Sequence, residues 1–223
     1  MGAPTLRIRL LGELDLRYGG VPLPPLESAR AGSLLAYLLL HRAAPQPRQH
    51  LAFLLWPDST ESQARTNLRH VLHHLRHALP DPDRFLDVTA HTLQWRAEAP
   101  CWLDIAALEA ALARAEAESP DGGLAALREA VELYTGDLLE GWYDEWLLAD
   151  RERLRQRYLA ALERLIALHE ARGELVQAIQ DAERLLRHDP LHEESYRLLM
   201  RLYVRSEERR VGKECRSRWS PYH

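Results

Sequence analysis

Residues 56–79 constrain the fold more than any other stretch, because their pattern fits a helix with one buried side. Leucines recur at the i, i+4, i+7 spacing of a helix docked on a core. They are Leu68, Leu72, Leu75 and Leu79. Thr60 and Gln63 have the S/T-x-x-E/Q form of a capping box, which predicts that the helix begins near Glu61.

The opposite side of this helix carries polar and basic groups, and no acidic residue occurs between Glu61 and Asp81. Its members are Thr66, Asn67, His70, His73, His74 and His77, with Arg65, Arg69 and Arg76 on the flanks. Asn and Arg side chains read base edges, and Thr, Arg and protonated His hold phosphates. The pattern therefore favours nucleic-acid binding, and a solvated helix surface is the plain alternative.

Metal binding is a further alternative for this helix, because its four histidines follow i, i+3, i+4, i+7 spacing and neutral imidazole is a common ligand. The sequence places no cysteine or carboxylate on that side to complete a structural site. It also lacks the glutamate of the H-E-x-x-H motif. We therefore expect no metal and no cofactor.

The charge of the 223-residue chain changes between its two halves. Residues 1–98 hold 11 Arg against 9 Asp and Glu, a net of about +2, and residues 99–206 hold 13 Arg against 21 Asp and Glu, a net of about −8. Such an asymmetry indicates two domains with different partners.

Several classes of protein are disfavoured by what the sequence lacks. Two cysteines are too few for a disulfide framework, and no apolar run approaches 18 residues, so we expect a cytoplasmic protein without membrane contact. No signal peptide is recognisable. No phosphate-binding or nucleophile motif such as G-x-x-x-x-G-K-[ST] or G-x-S-x-G occurs, so we expect no enzyme.

The front half reads as strands, three helices and a hairpin. Alternating residues predict strands at 6–11 and 14–18 and a short third strand at 21–23, followed by helices at 28–41, 48–55 and 61–79. Pro47 fits the first position of the second helix. Residues 85–88 and 92–96 predict a hairpin. The second and third helices form a helix-turn-helix whose latter member can enter a major groove, while the hairpin can reach the minor groove or phosphates.

The back half has helical periodicity throughout. Helices are expected at 104–118, 122–134, 144–172, 174–188 and 192–205. The segment LVQAIQDAERLLRHDP resembles a tetratricopeptide unit, although an ordinary helical bundle fits as well. Residues 207–223 differ in composition and hold the chain's single lysine, so we expect a non-native or misread tail.

Aromatic residues gather next to carboxylates in residues 134–158. Trp142, Tyr143 and Trp146 are candidates for a protein-contact surface. The alternative is structural, since Trp142 and Trp146 have the i, i+4 spacing of side chains that pack between helices.

These patterns resemble a known pairing of domains. Residues 6–96, with L-R-H-A-L ending the third helix, look like the winged-helix DNA-binding domain of response regulators. Residues from Trp102 to about Arg205 resemble the bacterial transcriptional activator domain. Together they are typical of the Streptomyces antibiotic regulatory protein (SARP) family. The resemblance implies an α+β winged helix-turn-helix domain at 5–98, followed by an all-α tetratricopeptide-like domain at 102–206.

In such regulators the third helix reads the major groove, which here implies base contacts from Thr66, Asn67, His70, Val71 and His74. The resemblance gives backbone or minor-groove contacts to Arg65, Arg69, Arg76, Thr89, His91 and Thr92. Histidines stand where the family often has arginine. Because a histidine is only partly charged at neutral pH, we expect weaker and more pH-dependent phosphate binding.

The sequence thus predicts a sequence-specific transcriptional regulator that binds double-stranded DNA. The resemblance implies an activator that contacts RNA polymerase, and a homodimer on repeated half-sites would strengthen DNA binding. Two other functions stay open. One is a non-enzymatic helical-repeat scaffold for protein contacts, and the other is a metal sensor built on the histidine cluster.

Overall fold

The computed structural model describes residues 5–117, 120–190 and 193–218. It divides into two compact units. The first unit combines residues up to Ala106 with Gly136–Arg151, and the second combines Ala107–Thr135 with residues from Glu152 onward. These units cut the chain differently from the predicted domains at 5–98 and 102–206, whose boundaries stay a prediction.

An N-terminal sheet opens the first unit. Its strands are β1 (Leu6–Arg9), β2 (Asp15–Tyr18), β3 (Val21–Pro22) and, later in the chain, β7 (Cys101–Leu103). The order is β3-β2-β1-β7, with β1 antiparallel to β2 and parallel to β7. The first three strands are where the alternating pattern placed them, whereas β7 was not predicted.

Three helices follow the first three strands and supply most of the core of this unit. They are α1 (Ala29–Leu40), α2 (Arg48–Leu55) and α3 (Glu61–Ala78), and all three were predicted. The Ser28 hydroxyl caps α1 by accepting from the Ala31 N–H at 3.2 Å. Pro47 is the residue that precedes α2 and not its first helical residue, which corrects the expected position by one.

The predicted hairpin consists of β5 (Leu86–Val88) and β6 (Thr92–Trp95). A third short strand, β4 (Gln46–Pro47), pairs with β6, so the sheet has three strands in the order β4-β6-β5. Phe85 and Trp95 are buried and stack with ring centroids 5.5 Å apart. The hairpin is thereby fixed to the start of α2.

Residues 136–151 belong to the first unit, although the sequence placed them in the helical half. Backbone bonds of 2.8 Å join Leu139 N to Leu10 O and Glu140 N to Gly12 O. Asp144 accepts from the Arg30 guanidinium at 2.6 Å and from the Ser33 hydroxyl at 2.7 Å. The segment thus covers the side of α1 where those two residues lie.

A buried carboxyl group also holds this unit together. Oδ2 of Asp104 accepts from the N–H groups of Leu10 and Leu11, each at 2.8 Å, and Oδ1 accepts from Ile105 N–H at 2.8 Å. Burial raises the pKa of Asp104, and the three N–H bonds act in the opposite direction. The end of β1 is therefore tied to the residues that follow β7.

Five further helices follow β7. They are α4 (Asp104–Ala117), α5 (Pro120–Leu133), α6 (Leu147–Ala171), α7 (Leu175–His188) and α8 (Glu193–Arg218). The predicted end points Glu118 and His192 lie outside the described residues, as do residues 219–223 of the suspected tail. The last helix runs past the expected end at Arg205. Within the described residues, none of the helices has the length and apolarity needed to cross a membrane.

The core of the second unit contains stacked tyrosines. Tyr134 and Tyr158 are buried, with ring centroids 4.1 Å apart and planes 12° from parallel. Arg184 donates from Nε to the Tyr158 hydroxyl at 2.8 Å and from Nη2 to the Val131 carbonyl at 2.7 Å. This arginine therefore joins α5, α6 and α7.

Candidate nucleic-acid interface

Helix α3 is fixed by its cap and its buried side. The Thr60 hydroxyl accepts from Gln63 N–H at 3.4 Å, as a capping box requires. The Gln63 side chain does not complete the box, because its amide donates to Asn67 Oδ1 at 2.9 Å. The buried residues are Ala64, Leu68, Val71, Leu72 and Leu75, which confirms the predicted leucine side.

The predicted contact residues of α3 differ in exposure. Arg65, Arg69, His70, His73 and His77 are exposed, and Thr66, Asn67, His74 and Arg76 are half-buried. Val71 differs from the others, since only 8% of it is exposed and it belongs to the core side. Val71, which we expected to contact a base, therefore mainly packs α3 against the core.

Asn67 and Thr66 both have partners on their own helix. The Thr66 hydroxyl donates to the Ser62 carbonyl at 3.0 Å. The Asn67 oxygen is held by Gln63, which leaves its amide N–H groups to donate outward within the described chain. Bidentate recognition of adenine uses both ends of an asparagine amide, so Gln63 must turn away when such a contact forms.

The histidines of α3 lie close together. The rings of His73 and His77 are 4.3 Å apart and those of His73 and His74 are 5.9 Å apart. The Glu27 carboxylate contacts Nδ1 of His74, so a carboxylate from the loop before α1 does reach this side of α3, contrary to expectation. Among the described residues no group of three or more potential ligands is arranged to hold a metal ion.

A concave basin of about 570 Å³ lies where α2, α3 and the hairpin meet. We call it the arginine basin. It is lined by Pro47, Arg48, Gln49, Arg65, Leu68, Arg69, Ala90 and His91. Three guanidinium groups from two helices converge there. This is the geometry that suits a phosphate group, which accepts charge-assisted hydrogen bonds from arginine.

Arg48 and Gln49 were not predicted as site residues. Arg48 Nη1 donates to the Thr89 carbonyl at 3.1 Å, and its backbone N–H donates to the His91 carbonyl at 2.8 Å. Burial, and then the charge of Arg69, lower the pKa of Arg48. One signal was available in the sequence: a cation in the first turn of a helix opposes the helix dipole, so Arg48 is poorly explained by its own helix.

The α3 arginines differ in their partners. Arg65 pairs with Glu61 one turn earlier, and Arg76 donates to Asp83 at 2.9 Å. Within the described part of the chain, Arg69 has no carboxylate partner. Arg69 therefore keeps its charge and its hydrogen-bond donors for a ligand.

The turn of the hairpin is rigid. The Thr89 hydroxyl accepts from the N–H groups of His91 at 3.2 Å and Thr92 at 2.9 Å, and lies 2.8 Å from the Thr92 hydroxyl. Thr89 and His91 are exposed, and Thr92 is half-buried. The predicted hairpin residues thus lie at the tip, with His91 at the rim of the arginine basin.

The three predicted protein-contact residues do not form one exposed surface. Trp142 packs on α1 so closely that a Cβ added to Gly32 would lie 2.1 Å from its ring. The Trp146 ring meets Tyr37 edge-on at 5.1 Å. Tyr143, by contrast, is 92% exposed. The two tryptophans hold residues 136–151 to the first unit, and Tyr143 alone is free to meet a partner.

Comparison with known proteins agrees with these features. Residues 103–211 match the family described as bacterial transcriptional activator domain. No curated protein sequence matches the chain significantly. The structure is similar to that of Mycobacterium tuberculosis EmbR in complex with a low-affinity phosphopeptide, with a TM-score of 0.74 and 22% identity. That match covers 92% of this chain and 56% of the EmbR chain, so this chain spans little more than half of that length.

Residues 103–211 therefore carry a bacterial transcriptional activator domain. The likeness to EmbR shows a shared fold, an α+β winged helix-turn-helix region followed by an all-α domain, which agrees with the SARP resemblance drawn from the sequence.

Proposed function

We propose that the protein is a sequence-specific transcriptional regulator that binds double-stranded DNA through α3 and the hairpin. The arginine basin is the observation that carries this proposal, because it gathers Arg48, Arg65 and Arg69 beside the outward side of α3. Phosphate contacts position a protein on the duplex, and contacts to base edges make its binding sequence-specific. A duplex backbone held in the basin would bring α3 into the adjacent major groove.

Specificity is assigned to Asn67, His70 and the half-buried Thr66 and His74. The donors left on the Asn67 amide fit the N7 and O4 acceptors of the major groove, and imidazole can donate to the same atoms. Phosphate contacts are assigned to Arg48, Arg69 and Arg76, and to the hairpin residues around His91. Val71 is assigned no DNA contact, because it packs in the core.

A cytoplasmic activator that contacts RNA polymerase, and a homodimer on repeated half-sites, complete the proposal. Their support is the family resemblance. The EmbR structure contains a phosphopeptide, and we make no corresponding assignment here because this chain covers only part of the EmbR chain. A non-enzymatic protein scaffold is the second candidate function, and the exposure of Tyr143, Met200 and Val204 favours it.

The test is selection of a random duplex pool with the full chain, followed by a salt series on the enriched sequence. We expect an enriched motif whose affinity falls linearly with the logarithm of salt concentration. The Asn67→Ala, His70→Ala double variant should lose selectivity while keeping most of its affinity for random duplex. Arg17→Ala, on the N-terminal sheet, is the control. If nothing is enriched at low salt, the DNA-binding function is wrong and the scaffold becomes the better assignment.

A further inference from the structure

A second groove lies on the first unit, and none of its lining residues belongs to α3. Its volume is about 560 Å³. We call it the aromatic groove. It is lined by Arg30, Phe53, Leu54, Pro57, Tyr143, Asp144, Glu145 and Trp146. It therefore joins the end of α2 and the turn before α3 to the segment that covers α1.

The groove exposes apolar side chains that the fold itself does not use. Phe53 is 44% exposed and Tyr143 is 92% exposed. Trp146, which also lines the groove, meets the Tyr37 ring edge-on. Exposed aromatic side chains that share one groove mark a surface for a partner more often than isolated ones do.

The charges around the groove are acidic. The only lining cation is Arg30, and Asp144 already accepts its guanidinium at 2.6 Å. Glu145 lies on the rim and has no cationic partner within the described residues, and the same holds for Asp58, which follows Pro57 directly. The arginine basin of the same unit has the opposite sign. A phosphate backbone is therefore repelled by the aromatic groove and attracted to the arginine basin.

We propose that the aromatic groove binds an extended basic peptide segment of a partner protein. The aliphatic part of a lysine or arginine would lie on Phe53 and Pro57, while its charge meets the Tyr143 ring and the Glu145 carboxylate. Long basic side chains bury their stems on apolar surfaces in this way, and a cation over an aromatic ring adds about 0.5–1 kcal/mol at an exposed site. This inference deepens the protein-contact part of the proposed function and does not depend on DNA binding.

The experiment measures binding of synthetic peptides to the full chain by fluorescence anisotropy. The probes are fluorescein-labelled hexapeptides in which two leucines are flanked by arginine, lysine, alanine or glutamate. We expect the basic peptides to bind with dissociation constants on the order of 100 µM, and the neutral and acidic ones to bind at least tenfold more weakly. Glu145→Lys should weaken basic-peptide binding about tenfold, and Tyr143→Ala about threefold.

Glu98→Lys is the matched control, because Glu98 is also exposed and lacks a cationic partner in the described chain but lies outside the groove. It should leave peptide binding unchanged. The proposal is overturned if no basic peptide binds better than the alanine peptide, or if Glu98→Lys weakens binding as much as Glu145→Lys. Both charge variants are also titrated with the selected duplex. Glu145→Lys should lose peptide binding and keep DNA binding, whereas an equal loss of both would show that the substitution disturbs the first unit and would overturn the assignment to the groove. If the unsubstituted chain binds the basic peptides but no duplex, the DNA-binding proposal fails and the groove stands.

Discussion

The helices of the second unit and the arginine basin of the first use arginine in different ways. In the second unit, arginines are tied to the fold: Arg184 bonds a tyrosine hydroxyl and a carbonyl, Arg164 donates to the Ala115 carbonyl at 3.1 Å, and Arg155 donates to the His188 carbonyl at 2.7 Å. In the arginine basin, Arg69 has no carboxylate partner among the described residues, and Arg48 donates to the carbonyl of the exposed Thr89. The burial and the partners of an arginine, and not its residue type, therefore separate a structural role from a binding role.

The largest loss of stability is expected at Asp104, a buried carboxylate that bonds backbone groups in the first unit as Arg184 does in the second. Asp104→Ala removes the buried carboxylate that accepts from the backbone N–H groups of Leu10, Leu11 and Ile105. An unsatisfied buried donor costs about 1–3 kcal/mol, so the free energy of unfolding should fall by about 3 kcal/mol or more. Urea denaturation measures the change. A loss as small as that of the exposed control Glu13→Ala would contradict this role.

The next largest loss of stability is expected at Arg184 in the second unit. Arg184→Ala removes donors from the Val131 carbonyl and the Tyr158 hydroxyl, so we expect a loss of about 2–3 kcal/mol in unfolding free energy with DNA affinity unchanged. Arg201→Ala is the control, because Arg201 is exposed and has no polar partner among the described residues. Its effect should stay within about 0.5 kcal/mol. Equal unfolding midpoints for the two variants would show that Arg184 does not hold the helices together.

Substitutions in the arginine basin should do the reverse and reduce DNA affinity while leaving the free energy of unfolding nearly unchanged. Arg48→Ala combined with Arg69→Ala should weaken DNA binding about 10- to 100-fold at low salt and should reduce the salt slope by about 2, since each phosphate contact contributes about 0.9. Unfolding free energy should change by less than about 1 kcal/mol. Anisotropy titrations at several salt concentrations test this. An unchanged slope would mean that neither arginine contacts a phosphate.

The smallest effect comes from freeing an arginine that is paired. Glu61→Gln removes the carboxylate partner of Arg65 while keeping the shape of the side chain. Because exposed pairs contribute about 0–1 kcal/mol, we expect DNA affinity to rise two- to threefold as Arg65 becomes available. Asp15→Asn, which frees Arg17 away from the basin, should have no effect on DNA binding. A fall in affinity would indicate that Glu61 positions Arg65 and does not compete for it.

The sequence predicted the parts of the fold that local patterns determine. The limits of α3 follow from Thr60 and its leucines, and the helices of the back half follow from periodicity. The strands β4 and β7 were missed because they exist through pairing with strands that are distant in the sequence. The equally short β3 and β5 were predictable because each pairs with its neighbour across a turn.

The candidate site was predictable only where its residues share one element, because local patterns do not show contacts between distant segments. The outward residues of α3 share one helix, whereas Arg48 reaches the basin through the pairing of β4 with β6. The sequence did not show that residues 136–151 pack in the first unit, because i, i+4 spacing indicates that Trp142 and Trp146 pack but not which element they contact. Gly32, in the middle of an apolar helix, was the one local sign that a large ring approaches α1 closely.

Sequence-specific DNA binding is tested most directly by the equilibrium binding of the full chain to its selected duplex and to a scrambled duplex, from about 50 to about 300 mM salt. We expect at least a roughly tenfold preference for the selected duplex, with affinity for both falling steeply as salt rises. Equal affinity for the two duplexes at every salt concentration, or no binding to either, would contradict it.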